Sequence, residues 1–391
     1  MKRRGRLAGF ARINKEMATS NEPIWRQYSD QFPITNRLIY LNHAAVSPLP
    51  RRSAEAIKRL ADDTLEYGSL HYDQWLDTYE QLRVAAARLI GAERGEIALM
   101  KNTSEGIATV AMGLDWRPGD RIVAFREEFP ANRFPWARLE SQRTEVVWLS
   151  INDSLDTIDR ACNGARLLAI SFVQYLSGFR ADLKAIGEIC RRRGCFFLVD
   201  AIQGMGAFPL NVRQSNIDAL AADGHKWMLG PEGCGILYIR KDRQNSVFPM
   251  EFGWTNVAGY NDHSTRDMTL RSDAGRYECG TLNTVGCYGL RASIEFLLEV
   301  GIERISQAVV ALADQLADGA VSKGYQLLGK RTSEHSAGII AINKPGVDSR
   351  KVVRDLKEQG ILTAPRQGWV RLSPHFYISP EDIDRVVAAL P

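Results

Sequence analysis

No stretch of this 391-residue chain approaches the ~18 uninterrupted apolar residues that a membrane-spanning helix needs, so no membrane partner is expected. Cysteine is scarce: six residues, at positions 162, 190, 195, 234, 279 and 287. None forms a Cys-x-x-Cys pair or a metal-ligand spacing, so neither a disulfide framework nor a bound metal is expected. As small core residues in a reducing compartment they point to the cytoplasm. A charge excess is also lacking once the leader is set aside. The net charge is +4, but residues Met1 to Lys15 hold six Lys/Arg and no acid, which leaves 44 basic against 46 acidic residues elsewhere. A body so balanced carries no nucleic-acid footprint. The leader is no secretory signal either, because its short apolar stretch is broken at Arg12 and such a signal needs ~7–15 apolar residues. Residues 1–20 are read as a disordered basic extension. Internal repeats and low-complexity tracts are absent.

What is present is an ordinary globular composition, 45% hydrophobic and 25% charged, on a chain long enough for two cored domains. Two helical stretches, Ser53–Tyr67 and Trp75–Ile90, precede a regular alternation. Strands are expected near Ile97–Met100, Arg121–Phe125, Glu145–Leu149, Leu167–Phe172, Phe196–Val199, Ile217–Ala221 and Gly235–Ile239. Helices near Glu105–Leu114, Ala131–Gln142, Leu155–Ala161 and Leu183–Arg193 lie between them. Such alternation predicts an α/β fold: a mostly parallel seven-stranded sheet with helices on both faces. From Gly289 to Leu316 the pattern turns long and helical, and short strands with two further helices follow. The expected division is an arm and large domain over 21–294 and a smaller α+β domain over 295–391.

Chemistry concentrates where the strand from Ile217 breaks at Asp223-Gly224 and presents His225-Lys226. A lone lysine in a Gly-rich loop is ordinarily a solvated surface charge. Here apolar residues precede it, and glycines at 224, 230, 233 and 235 allow close packing. A desolvated lysine loses proton affinity and becomes a nucleophilic amine. Pyridoxal phosphate (PLP) is the carbonyl cofactor that such an amine holds as a Schiff base, and it requires an acid partner for its ring nitrogen. Asp200 supplies one, ending the apolar run Cys195–Val199 where open α/β sheets bind ligands. Alone, Asp200 would read as a cap or turn residue; the pair is far more specific.

The segments Val199–Gln203 and Asp223–Tyr238 resemble the cofactor-binding segments of class V PLP enzymes, a likeness that extends from Tyr40 nearly to the C-terminus. The resemblance implies the PLP-dependent type I fold. It also implies roles for single positions. Thr103 and Ser104, at a strand-to-helix junction, would hold the phosphate, although such hydroxyls are more often simple N-caps. Phe129 would stack on the ring where desulfurases place a histidine. Gln203 would bond the phenolic oxygen. Asp223 and His225 would flank the lysine, His225 on the phosphate. Gly280 and Thr281 would reach the phosphate of a neighbouring subunit, making a homodimer with shared sites. Arg371 would grip a substrate α-carboxylate, with His43 and Tyr175 on the substrate side.

Departures from the pattern bear on the reaction. Desulfurases carry a nucleophilic cysteine shortly before that arginine, whereas Ile361–Val370 contains none. Persulfide chemistry is therefore disfavoured. The expectation is a small-molecule enzyme acting at Cα of an amino acid, with transamination first and C–S lyase or epimerase outcomes as alternatives. A non-catalytic PLP-fold binding protein is the contrasting class, and Lys226, Asp200 and Arg371 together argue against it.

Overall fold

The computed structural model describes residues 22–141 and 143–391; the expected extension over 1–20 lies outside them. Six strands of the large sheet run one way. They are β2 (Ile97–Met100), β3 (Arg121–Phe125), β4 (Glu145–Leu149), β5 (Ala165–Ser171), β6 (Phe196–Asp200) and β7 (Ala219–Asp223). Only β8 (Gly235–Ile239) is reversed, and the spatial order is β2-β8-β7-β6-β5-β3-β4. The seven-stranded, mostly parallel sheet is thus as expected.

Strand composition explains its burial. All five residues of β6, β7 and β8 are buried, because helices cover both faces. Alternate side chains feed two separate cores. Phe196 and Leu198 join Ile107, Trp136 and Leu139, from helices α3 (Thr103–Gly113) and α4 (Phe134–Glu140). Phe197 and Val199 face the opposite core with α5 (Leu155–Cys162) and α6 (Leu183–Arg193). Preceding these, α1 (Arg51–Tyr67) and α2 (Tyr72–Ile90) pack on α7 (Thr284–Val300).

Three local expectations shift. The helix expected over Ala131–Gln142 is a short turn, Pro130–Asn132, followed by α4, because Pro135 fits only a first helical turn; residue 142 lies outside the described set. The single long helix expected from Gly289 breaks at Gly301, whose φ of 92° is not helical, and resumes as α8 (Ile302–Ser322). The domain boundary expected after residue 294 consequently falls inside α7.

The C-terminal part is a four-stranded sheet, order β12-β13-β10-β9, built from β9 (Gln326–Leu327), β10 (Ile340–Asn343), β12 (Ala364–Arg366) and β13 (Trp369–Leu372). Helices α9 (Ser349–Glu358) and α10 (Pro380–Ala389) complete it. The N-terminal arm belongs with this layer. Its strand β1 (Ile39–Tyr40) pairs in parallel with β11 (Ile361–Leu362), and Phe32 stacks on Tyr377 with ring centroids 3.7 Å apart.

Helix α6 lies so close to the turn before β7 that a Cβ on Gly187 would sit 1.8 Å from the Ser215 carbonyl oxygen. Backbone cannot yield as a flexible side chain does. Gly187→Ala is expected to destabilise the protein by about 1–3 kcal/mol, the usual cost of overpacking, read as a lower urea midpoint. An unchanged midpoint would show that α6 can move away.

Candidate active site

All six co-directional strands end at one edge of the sheet, and five of them, β2, β3, β5, β6 and β7, feed residues into one cavity of about 370 Å³. That size suits a small ligand. The fold brings together there Thr103, Ser104, Phe129, Tyr175, Asp200, Gln203, Asp223, His225, Lys226 and Arg371. A larger depression of about 1240 Å³ elsewhere on the surface contains neither Lys226 nor Asp200.

The loop joining β7 to β8 sets the lysine. Gly224 N–H donates to Cys234 O at 2.9 Å and Gly230 N–H to Gly224 O at 2.8 Å, closing the loop on itself. A side chain on Gly224 would meet Leu290 at 2.6 Å and Cys234 O at 2.8 Å. From the arm, Ser47 N–H donates to His225 O and Ser47 Oγ to Lys226 O, at 2.8 and 2.5 Å. The lysine backbone is therefore fixed. Its Nζ lies 5.8 Å from the Phe129 ring centroid and makes no ion pair among the described residues. Burial lowers the Lys226 pKa to about 8; Asp200 opposes that shift and Arg371 adds to it.

Asp200 is 3% exposed at the end of β6. Burial raises its pKa to about 6, against the pull of the Ile202 N–H, 3.1 Å from Oδ1, and of Lys226. A second buried carboxylate stands behind it. Glu128 accepts from Ser171 N–H at 2.6 Å and from the Ser171 hydroxyl, and burial pushes its pKa up to about 8, with Asp200 adding repulsion. Glu128 thus favours its neutral form beside an acid poised near neutrality.

At the opposite wall α3 begins. Asn102 caps it by accepting from Glu105 N–H, so the hydroxyls of Thr103 and Ser104 are not the caps. Thr103 Oγ1 instead accepts from Asp223 N–H at 2.9 Å. The first-turn N–H groups of Thr103 and Ser104 have no helical acceptor, and both residues line the cavity, a ready anion site. Asp223 Oδ2 lies 3.0 Å from His225 Nδ1 without hydrogen-bond alignment, and Asp223 Oδ1 is buried with no partner. The Gln203 amide already joins Trp227 Nε1–H to Ala44 O, at 2.9 Å each, which leaves one N–H. On the small-sheet side Arg371 is 2% exposed. Its Nη1 donates to Tyr175 O at 2.9 Å, its Nε is buried without a partner, and burial lowers its pKa to about 10.

Three expected positions lie elsewhere. His43 does not face the cavity: it is wholly buried, with Nδ1 2.7 Å from Ser373 O and Nε2 2.6 Å from the Tyr377 hydroxyl. Burial and nearby His375 hold its pKa well below the ordinary value. Both ring nitrogens are occupied, so its substrate-side expectation is corrected to a structural one. Gly280 and Thr281 line a separate crevice with Cys279 and Lys101, and Thr281 is exposed. Sequence reading missed Glu128, Ser47 and Arg366. Nothing in the primary pattern marks a carboxylate before Phe129-Pro130 as buried. Arg366 sits before Gln367-Gly368, a hairpin signal that implies pairing with the Arg371 strand.

The orphaned atoms, the lowered amine and the free helix N–H groups fit PLP. Sheet topology and cavity together set the chain among PLP-dependent enzymes of type I fold. More narrowly, it belongs to the family described as aminotransferase class-V, which matches residues 39–386. A probable cysteine desulfurase of Pyrococcus abyssi is 29% identical, covering 92% of this chain and 94% of the relative. The uncharacterized aminotransferase YcbU of Bacillus subtilis is 28% identical, covering 94% and 97%. Among solved structures, an apo cysteine desulfurase from Thermococcus onnurineus superposes with a TM-score of 0.87 at 28% identity, covering 95% of this chain and 98% of that one.

A lysine of pKa about 8 is neutral, and so nucleophilic, above that pH. Capture of PLP by cofactor-free protein is expected to quicken with rising pH and level off above about 8, rather than near the ~10.4 of free lysine. Stopped-flow absorbance reads the rate. A rate still climbing steeply at pH 10 would refute the lowered pKa.

Proposed function

We propose that this chain is an aminotransferase acting on α-amino acids. The observation that carries this reading is the buried Arg371, with an unpartnered Nε, across one cavity from a half-buried lysine of lowered proton affinity. A guanidinium so placed suits a substrate α-carboxylate. Lys226, once freed, stands as the base that takes the Cα proton and returns it. With PLP bound, Asp200 would hold a positive charge on the ring nitrogen, Thr103, Ser104 and His225 would hold the phosphate, and Phe129 would cover the ring. Asp223 lies beside His225, and the remaining N–H of Gln203 would be available to the phenolic oxygen. PLP, when bound, supplies the electron sink that lets the Cα–H bond break. In the net reaction the amino acid gives up its amino group and becomes a 2-oxo acid, while a second 2-oxo acid takes that group.

A C–S lyase is the second reading, favoured by the relatives named cysteine desulfurases. In either case no thiol of this chain is placed to accept sulfur. Five of its cysteines are buried and none lines the cavity. Cys279 is half-buried in the neighbouring crevice, where its Sγ donates to Glu251 at 3.2 Å, and burial together with Glu251 raises its pKa. Product analysis of PLP-loaded protein with an amino-acid panel, with and without 2-oxo acids, decides between the readings. Amino products that require an added 2-oxo acid, undiminished in a variant with all six cysteines replaced by alanine or serine, are expected. Sulfide release without added 2-oxo acid would establish the lyase, and loss of turnover with any single cysteine would restore persulfide chemistry.

We also read the enzyme as a cytoplasmic homodimer. No helix among the described residues is long and apolar enough to cross a membrane. Thr281 is exposed outside its own chain's cavity, beside exposed Trp254, with Phe248, Met250 and Phe252 nearby in sequence. An apolar face next to an orphan phosphate ligand suits a second copy. Mixing inactive Lys226→Ala and Thr281→Trp chains should restore activity, because hybrids contain one intact site. Absence of rescue despite demonstrated subunit exchange would assign each site to a single chain.

A further inference from the structure

One charged cavity residue has no part in the chemistry above. Arg366 lines the same cavity as Lys226 and Arg371. It ends β12, and Gln367 and Gly368, with φ of 48° and 85°, return the chain to β13. Positive φ at both positions is the two-residue turn whose twist matches a hairpin, so the register is fixed. Arg366 pairs with Trp369, and Ala364 pairs with Arg371. Side chains two apart on a strand share a face, so Arg366 and Arg371 hold diagonal positions on one face, roughly 7–8 Å apart.

Neither guanidinium meets a carboxylate among the described residues. Arg366 Nη1 donates to Pro365 O at 3.1 Å and Arg371 Nη1 to Tyr175 O at 2.9 Å. Two like charges side by side disfavour each other, and Arg366 contributes to the lowered pKa of Arg371. An anion that bridged them would relieve that repulsion. The pair differs in setting: Arg371 is buried against the Tyr175 carbonyl, whereas Arg366 is exposed.

We propose that Arg366 forms a distal-anion subsite, so that substrates are amino acids and 2-oxo acids whose side chain ends in a carboxylate or a sulfinate. Arg371 takes the α-carboxylate and Arg366 the far group, which makes Arg366 a specificity-determining residue. The substrate class rests on the aminotransferase reading; the subsite itself can be tested without turnover. PLP-loaded protein is titrated calorimetrically with succinate, 3-sulfinopropionate and butyrate, none of which has an amine to react. The dianions are expected to bind about tenfold or more tighter than butyrate, the scale of one charge-assisted bidentate contact. The two dianions separate carboxylate from sulfinate preference. In Arg366→Ala and Arg366→Gln that advantage should vanish, whereas Arg366→Lys should keep part of it and Arg371→Leu should weaken all three ligands. If Arg366→Ala weakens butyrate as much as succinate, both arginines grip one carboxylate and the proposal falls. It falls equally if the variants leave the ratio unchanged. Protein that binds dianions through Arg366 yet exchanges no amino groups would overturn the aminotransferase reading alone. Protein that transaminates without dianion preference would overturn the subsite alone.

Discussion

Desolvation of one lysine is the constraint on which the site depends. Lys226 is half-buried at the strand-end edge of the sheet, and burial lowers its proton affinity while the Asp200 carboxylate raises it. The same burial pushes the Asp200 carboxyl upward, and Lys226 pulls it back. Each group therefore holds the other in its charged form at a cost shared between them. Separate them, and both move toward neutrality. The surroundings hold the two groups in place: the loop after β7 closes on itself, and the buried Glu128 adds its own repulsion to Asp200.

The two ends of the chain lock this arrangement from outside the sheet. Ser47 bonds the carbonyls of His225 and Lys226, and Ala44 O takes an N–H from Gln203. The same arm pairs through β1 with β11 and buries His43 against Ser373 and Tyr377. Residues 39–47 are thus a rivet through both layers. That is why His43, so near the site in sequence, spends both ring nitrogens on the small layer instead of on a substrate.

Much of this was legible in the primary pattern. The unbroken apolar runs ending in Asp200 and Asp223 named the sheet and its functional edge, because only a doubly covered strand tolerates such runs. Lys226 was legible because glycines and apolar neighbours surround it. Other features were not. Glu128 is buried through its bonds to Ser171, a partner 43 residues away, which no local pattern encodes. Cys162, Cys190 and Cys195 have no ligand-like spacing, yet the fold gathers their sulfurs within 4.8 Å between α5, α6 and β6. The break at Gly301 was hidden because helical periodicity continues across it, and one left-handed residue leaves no trace in a hydrophobic count. Arg366 drew no attention in the primary pattern, because its place beside Arg371 depends on strand pairing.

The two-residue turn between β12 and β13 has a meaning for how such enzymes diversify. Its tip follows Arg366, which lines the cavity, on a sheet that carries Arg371 but not the lysine. Hairpin tips are where chains accept insertions with least harm to the fold. A handful of residues added there would lower a new side chain toward the reacting centre while leaving the lysine, its carboxylate partner and the cofactor cradle untouched. Shortening removes that side chain just as cleanly. The hairpin is a tool post, and a lineage can change the tool without rebuilding the machine.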